Sequence, residues 1–162
     1  MTTLGIPCIY YGSQQALDGA GDNDRYIREA MFGGEFGAFA SHGRHVFAED
    51  HPLYRELATI LALRRRPEFI GLRRGRQHLR PISGDGVHFG LLRRFAGRML
   101  SVVPWSRIFL DTETVCAVNT DPGAARTAWV TVDAGLHRAG DLLTCHYSTD
   151  PGQAGSSPDF RR

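Results

Sequence analysis

Four acidic side chains, Asp18, Asp22, Asp24 and Glu35, fall within one glycine-rich stretch, and carboxylates are the groups that proteins use for proton transfer or for binding calcium. The residue types fit such chemistry, but their placement does not. The spacing of Asp18, Asp22 and Asp24 departs from that of an EF-hand loop, so helix capping and hydrogen bonding within the loop account for them better. An acid/base pair needs two carboxyl groups held at a fixed separation on rigid elements, whereas all four of these lie on a single loop. No catalytic residue is therefore assigned. The seven histidines make no HExxH or HxH pattern, and Cys8, Cys116 and Cys145 make no CxxC pair, so neither a metal site nor a cofactor is expected. The thiols read as free and buried, with a Cys116 to Cys145 disulfide left open for an oxidising compartment. The chain also lacks a GxSxG nucleophile elbow, a P-loop and a complete GxGxxG.

The remaining polar chemistry is basic. Every one of the 19 basic residues is arginine. Ten of these lie between Arg64 and Arg98 against only Glu68 and Asp85, an excess of eight positive charges in a chain of formal net charge +2, so the rest of the sequence is acidic. Such a block can attract phosphates, and Arg73, Arg74, Arg76 and Arg80 are the residues through which nucleic acid would be held. Without a recognised nucleic-acid motif, a solvated helix end followed by a solvated sheet face is the favoured reading, and no nucleic-acid partner is expected.

These residues need elements to position them. A chain of 162 residues, 42% hydrophobic and 22% charged, suffices for one ordinary domain or two small ones but not for a complete enzyme barrel. No apolar run reaches the roughly 20 residues that span a bilayer, and no basic segment opens a secretory signal, so a soluble chain without a membrane partner is expected. Its compartment stays open. In GIPCIYYGSQQ, Pro7 can stand at a strand entrance and Gly12 ends a continuously apolar run, which predicts a strand over residues 5–12 covered on both faces. Residues 12–49 form a long glycine-rich connection in which Asp22 or Asn23 caps a short helix. The apolar spacing of DHPLYRELATILALRRR predicts a core-facing helix over 51–66, capped by Asp50 and stopped by Pro67. From Gln77 the period turns to alternation. VHFGLLR, MLSVVPW, ETVCAVN, AWVTVD and LLTCHY read as strands of an antiparallel β-sandwich over 77–150, and residues 151–162 as a disordered tail.

Taken together, GIPCIYYGSQQ, the loop with NDRYIREAMF and the helix with YRELATILALRRR resemble the last barrel strand, closing loop and final barrel helix of the alpha-amylase family of glycoside hydrolases. VCAVNTD and its neighbours are similar to the antiparallel domain that follows that barrel. The resemblance covers roughly residues 4–150. It implies an α+β chain made of the terminal β/α unit of an incomplete TIM barrel (1–70) followed by the antiparallel sandwich. It also implies a carbohydrate enzyme acting on α-glucosidic bonds, hydrolase or glucosyltransferase, whose nucleophile and acid/base carboxylates sit on earlier strands absent from this sequence.

This chain alone is expected to be inactive, since retaining hydrolysis requires two carboxyl groups roughly 5 Å apart, projected from different strands. By the same resemblance, Tyr11, Gln14, Asp22, Asp24, Arg25 and Tyr26 would line the rim of a cleft for an α-glucan or small α-glucoside, given the rest of the barrel. Gln14 stands where the family usually carries glutamate, so this position offers an amide rather than a charge. The apolar strand also implies self-association when unpartnered. A rival reading is a non-catalytic carbohydrate-binding sandwich using Trp105, Trp129 and Tyr147.

Overall fold

The computed structural model describes residues 1–17, 31–32, 45–92 and 97–156. The fold is mixed α+β and divides into two compact units, one of Met1 and residues 5–63, the other of residues 2–4 and 64–162.

In the first unit, residues 6–10 run without any ladder partner among the described residues. The expected strand over 5–12 is thus not formed, and no barrel is present among the described residues. The reason is that a strand exists only through its neighbours, and continuous hydrophobicity cannot supply them. Its side chains remain outside: Ile6 is 97% exposed, and Ile9, Tyr10 and Tyr11 are exposed as well. Helix α1 spans Pro52–Arg65, and its N-terminal donor at Leu53 N is taken by His51 Nδ1 at 3.3 Å, where Asp50 was expected to cap. Leu57, Ile60, Leu61 and Leu63 are half-buried, but no residue of α1 is fully buried, so the expected core-facing helix has a partly open face. The short helix expected at Asp22 or Asn23 lies outside the described residues.

The second unit is built on a three-stranded antiparallel sheet of β1 (Arg76–Leu79), β3 (Val102–Phe109) and β4 (Thr112–Asn119), with β3 in the centre. A two-stranded sheet pairs β2 (Ile82–Ser83) with β5 (Trp129–Val130). This is no clear sandwich. Of the five expected strands, ETVCAVN forms as read, and the strand expected over MLSVVPW begins at Val102 and runs on to Phe109. Pro104 is tolerated inside this central strand for a geometric reason. Its carbonyl accepts Arg80 N at 3.3 Å, so its nitrogen faces the same side, where β1 has already ended at Leu79.

The other candidates fail because their backbone groups are captured elsewhere. In VHFGLLR, Asp85 Oδ1 accepts from Val87 N (2.8 Å) and His88 N (2.9 Å), which leaves a single bridge between Gly90 and Ile82. AWVTVD pairs only at Trp129 and Val130, since Asp133 N is taken by Glu113 Oε2 at 2.9 Å. In LLTCHY, both backbone groups of Cys145 bond to the segment after it: Cys145 N to Ser156 O (2.9 Å) and Gly155 N to Cys145 O (2.8 Å). Residues 151–156 are for that reason ordered, with a 3₁₀ turn at Pro151–Gln153 whose entry Asp150 caps through Gly152 N, where a disordered tail was expected.

Short helix α2 (Gly71–Arg74) lies directly on β3, and glycine at each end permits the approach. A Cβ on Gly71 would come 3.2 Å from Arg107 O, and one on Gly75 would come 2.5 Å from Gly71 O and 2.7 Å from Ile108 O. Both atoms facing Gly75 are backbone and cannot swing away. Gly75→Ala is therefore expected to lower stability by about 3 kcal/mol, the upper range for overpacking, measured as a shifted urea midpoint.

Candidate functional site

The first candidate is the tyrosine and glutamine lip that ends the apolar run. Gly12 sits at φ +84°, and a Cβ there would lie 2.7 Å from Leu17 Cδ1, so only glycine allows the chain to fold back at this point. Gly12 O then accepts from Gln15 N (2.9 Å) and Leu17 N (3.1 Å), which fixes a 3₁₀ turn over Ser13–Gln15. Gln15 is spent on structure: its amide both donates to Ala48 O (3.0 Å) and accepts from Ala48 N (2.8 Å). Gln14 is half-buried, with Nε2 3.9 Å from Met31 Sδ. The rings of Tyr10 and Tyr11 stand 4.7 Å apart and tilted by 41°. The lip thus presents two aromatic rings and a carboxamide, groups that can stack on a sugar ring and hydrogen-bond its hydroxyls. Of the residues expected at this rim, Tyr11 and Gln14 lie on either side of the Gly12 turn, Tyr11 exposed and Gln14 half-buried. Asp22, Asp24, Arg25 and Tyr26 lie outside the described residues.

The second candidate was not anticipated. Glu113, on β4, has a fully buried side chain that gathers four partners. Oε1 accepts from Arg80 Nη2 at 2.5 Å and from the Ser106 hydroxyl, and Oε2 accepts from Asp133 N at 2.9 Å and lies 2.9 Å from His137 Nε2. Ser106 also accepts from Arg80 Nε at 2.6 Å. Serine, glutamate and histidine here share a cluster without forming a nucleophilic triad. The carboxylate stands between the other two, so the histidine cannot take the serine proton, and Ser106 is 0% exposed. Both carboxylate oxygens are occupied, which makes the cluster a brace and not an acid/base centre. Period-two reading of ETVCAVN carries the signal that could have found it, because Glu113 shares a face with Val115 and Ala117, and a charge on a half-buried face requires a partner.

Two of the remaining expectations can be placed. Cys116 and Cys145 are both free thiols, as is Cys8, but Cys8 is exposed where burial was expected. Burial pushes the Cys116 thiol up to about 11. Of the four arginines through which nucleic acid would be held, Arg73, Arg74 and Arg76 are exposed, while Arg80 is committed to Glu113. Among the described residues, no group of three or more potential ligands is placed to hold a metal ion, and no helix is long and apolar enough to cross a membrane.

With the geometry in place, comparison with known proteins adds one relationship. Over 143 residues, 82% of this chain, the sequence is 27% identical to an alpha-amylase of Streptomyces lividans. The chain spans 14% of that relative's length, so the similarity is to part of an alpha-amylase. No protein-family profile matches the chain, and no solved structure matches it.

Two outcomes follow from the site geometry. Glu113→Ala should cost about 3 kcal/mol in urea denaturation, the lower end for breaking a buried ion pair by removing one partner, because Arg80 keeps Asp133 Oδ2 at 3.8 Å. Asp85 is a pH probe of its turn. The His88 ring at 2.7 Å, the His88 and Val87 amides and the Ser83 hydroxyl hold its carboxyl well below the usual range. Because the folded value is depressed, the contribution is complete above the unfolded value of about 3.9 and is lost as pH falls through the folded value. The Asp85 carboxyl should therefore stay ionised from pH 7 down to about 4 and take up its proton only in stronger acid, read from its own carboxyl carbon resonance.

Proposed function

We propose that this chain is the C-terminal portion of an alpha-amylase-like glycoside hydrolase or glucosyltransferase, the part that supplies one wall of an α-glucan-binding cleft and the small antiparallel domain behind it. The observation that carries this reading is the similarity to the Streptomyces lividans alpha-amylase over 82% of the chain. Physical chemistry supports it from a second side. The run Ile6 to Tyr11 has the composition of a strand buried on both faces yet keeps its apolar side chains exposed, as an interior barrel strand would without its neighbours. In the cleft, Tyr11 and Gln14 would meet the glucan at the carboxyl end of that strand, with Asp22, Asp24, Arg25 and Tyr26 along the loop beyond it. The carboxylates that attack the sugar and protonate the leaving group would come from preceding strands, so the chain alone turns over no substrate.

The test joins residues 1–162 to the preceding portion of the Streptomyces lividans alpha-amylase and assays release of reducing sugar from soluble starch. The chimera should hydrolyse starch while the chain alone stays at background. A chimera that folds cooperatively but is inactive, or a chain alone that hydrolyses starch, would overturn the proposal. The isolated chain should also elute from size exclusion as more than a monomer, through the exposed 6–11 segment. A non-catalytic carbohydrate-binding module is the second reading, favoured by the 41% exposure of Trp129. Quenching of tryptophan fluorescence by a soluble maltooligosaccharide, retained in Trp105→Phe and lost in Trp129→Phe, is its expected signature.

A further inference from the structure

The opposite face of the three-stranded sheet carries a second feature, independent of Glu113. In β3, Trp105 and Arg107 alternate onto one side, and the register sets Gln77 of β1 directly beside Arg107 and Cys116 of β4 directly beside Trp105. Four side chains from three strands therefore share one face. What they touch is the segment Thr2–Leu4, which bends at Thr3 and Leu4 and lies 73 residues or more away in sequence. Trp105 Nε1 and Arg107 Nη1 both donate to Thr2 O, at 3.3 and 3.1 Å, and Gln77 Oε1 accepts from Leu4 N at 2.5 Å. The Thr2 side chain lies beside the Cys116 thiol. The sheet face thus holds this segment by its main chain, through the Thr2 carbonyl and the Leu4 amide.

Arg107 explains why the contact matters. It is 1% exposed, and among the described residues no carboxylate pairs with it. Its acceptors are two carbonyls, Thr2 O and, at 2.8 Å from Nη2, Gly75 O, while Nε has none. A buried cation is costly unless its donors are satisfied. Removing Thr2 O would leave this guanidinium with one acceptor for its donors.

We propose that the face formed by Gln77, Trp105, Arg107 and Cys116 is a docking site for a main-chain segment, and that Thr2–Leu4 of this same chain is its occupant. The segment acts as a strap that closes over Arg107 and Cys116. It is selected by a carbonyl and an amide at the right separation and by a small hydroxyl side chain against the thiol. The Leu4 side chain is not read, since it is exposed.

The full chain tests this through two readouts, the rate at which Cys116 is alkylated, resolved by peptide mass spectrometry, and exchange of the Trp105 indole N–H. Leu4→Pro removes the amide donor and Gln77→Ala its acceptor, whereas Leu4→Ala keeps the donor. Leu4→Pro and Gln77→Ala should each speed Cys116 alkylation and Trp105 indole exchange about tenfold, the scale of one lost hydrogen bond, while Leu4→Ala leaves both unchanged. Exposed Cys8 is the internal control, and unchanged protection of the β3 and β4 amides shows that the sheet is intact. The proposal is overturned if Leu4→Ala accelerates both readouts as much as Leu4→Pro, or if Cys116 reacts as fast as Cys8 in the unmodified chain. A dependence of the rates on protein concentration would also overturn it, by placing the strap on a second copy.

Discussion

The second unit depends on a single buried carboxylate. Taking an ionised glutamate out of water costs several kcal/mol, and Glu113 recovers this only because both of its oxygens accept hydrogen bonds. The groups around it come from four places in the sequence: Arg80 just before β2, Ser106 in β3 and Asp133 just after β5 donate, and His137 Nε2 lies 2.9 Å away. The consequence reaches beyond the cluster. The pairing of β2 with β5 spans only two residues on each side, too little to hold itself in water. It is held because the chain entering β2 and the chain leaving β5 are both fastened to the same side chain, with Thr131 N bonded to Pro81 O at 3.1 Å between them.

The central strand therefore carries charge chemistry on both of its faces. Pro104, Ser106 and Ile108 look toward Glu113, and Trp105 and Arg107 look toward the strap. A strand with one wet face would place polar residues on alternate positions only. In PWSRIF, Ser106 and Arg107 are adjacent and both fully buried, which is the mark of a strand covered on two sides by groups that satisfy it. One face neutralises a buried anion with a guanidinium, a hydroxyl and a backbone amide, while the other satisfies a buried cation with carbonyls.

This double coverage also explains what could be read from the sequence and what could not. Helix α1 was legible because leucines at helical spacing and the stop at Pro67 are local signals, and ETVCAVN was legible because alternation is local too. Two of the failed strands, VHFGLLR and AWVTVD, share one cause. Val87, His88 and Asp133 have backbone donors that a strand would use, but carboxylates of Asp85 and Glu113 accept them first. Competition of this kind between side chain and ladder leaves no trace in hydrophobic periodicity. The end of the apolar run was legible because Gly12 announces the turn that follows it. The brace around Glu113 was not, since its members are scattered from residue 80 to residue 137 and meet only in three dimensions.

The apolar run at the start of the first unit shows the same rule from the other side. Ile6, Ile9, Tyr10 and Tyr11 have the side chains of a central strand, and nothing in their own backbone prevents one. Among the described residues no strand completes a ladder with Ile6, Ile9 and Tyr10. Thr2–Leu4, a few residues earlier, are less apolar and yet are held, because Gln77, Trp105 and Arg107 supply the donors and acceptor that a neighbouring strand would. Which segments are held in this chain thus follows the supply of hydrogen-bond partners and not hydrophobicity. A contiguous apolar stretch that finds no ladder among the described residues stays on the surface.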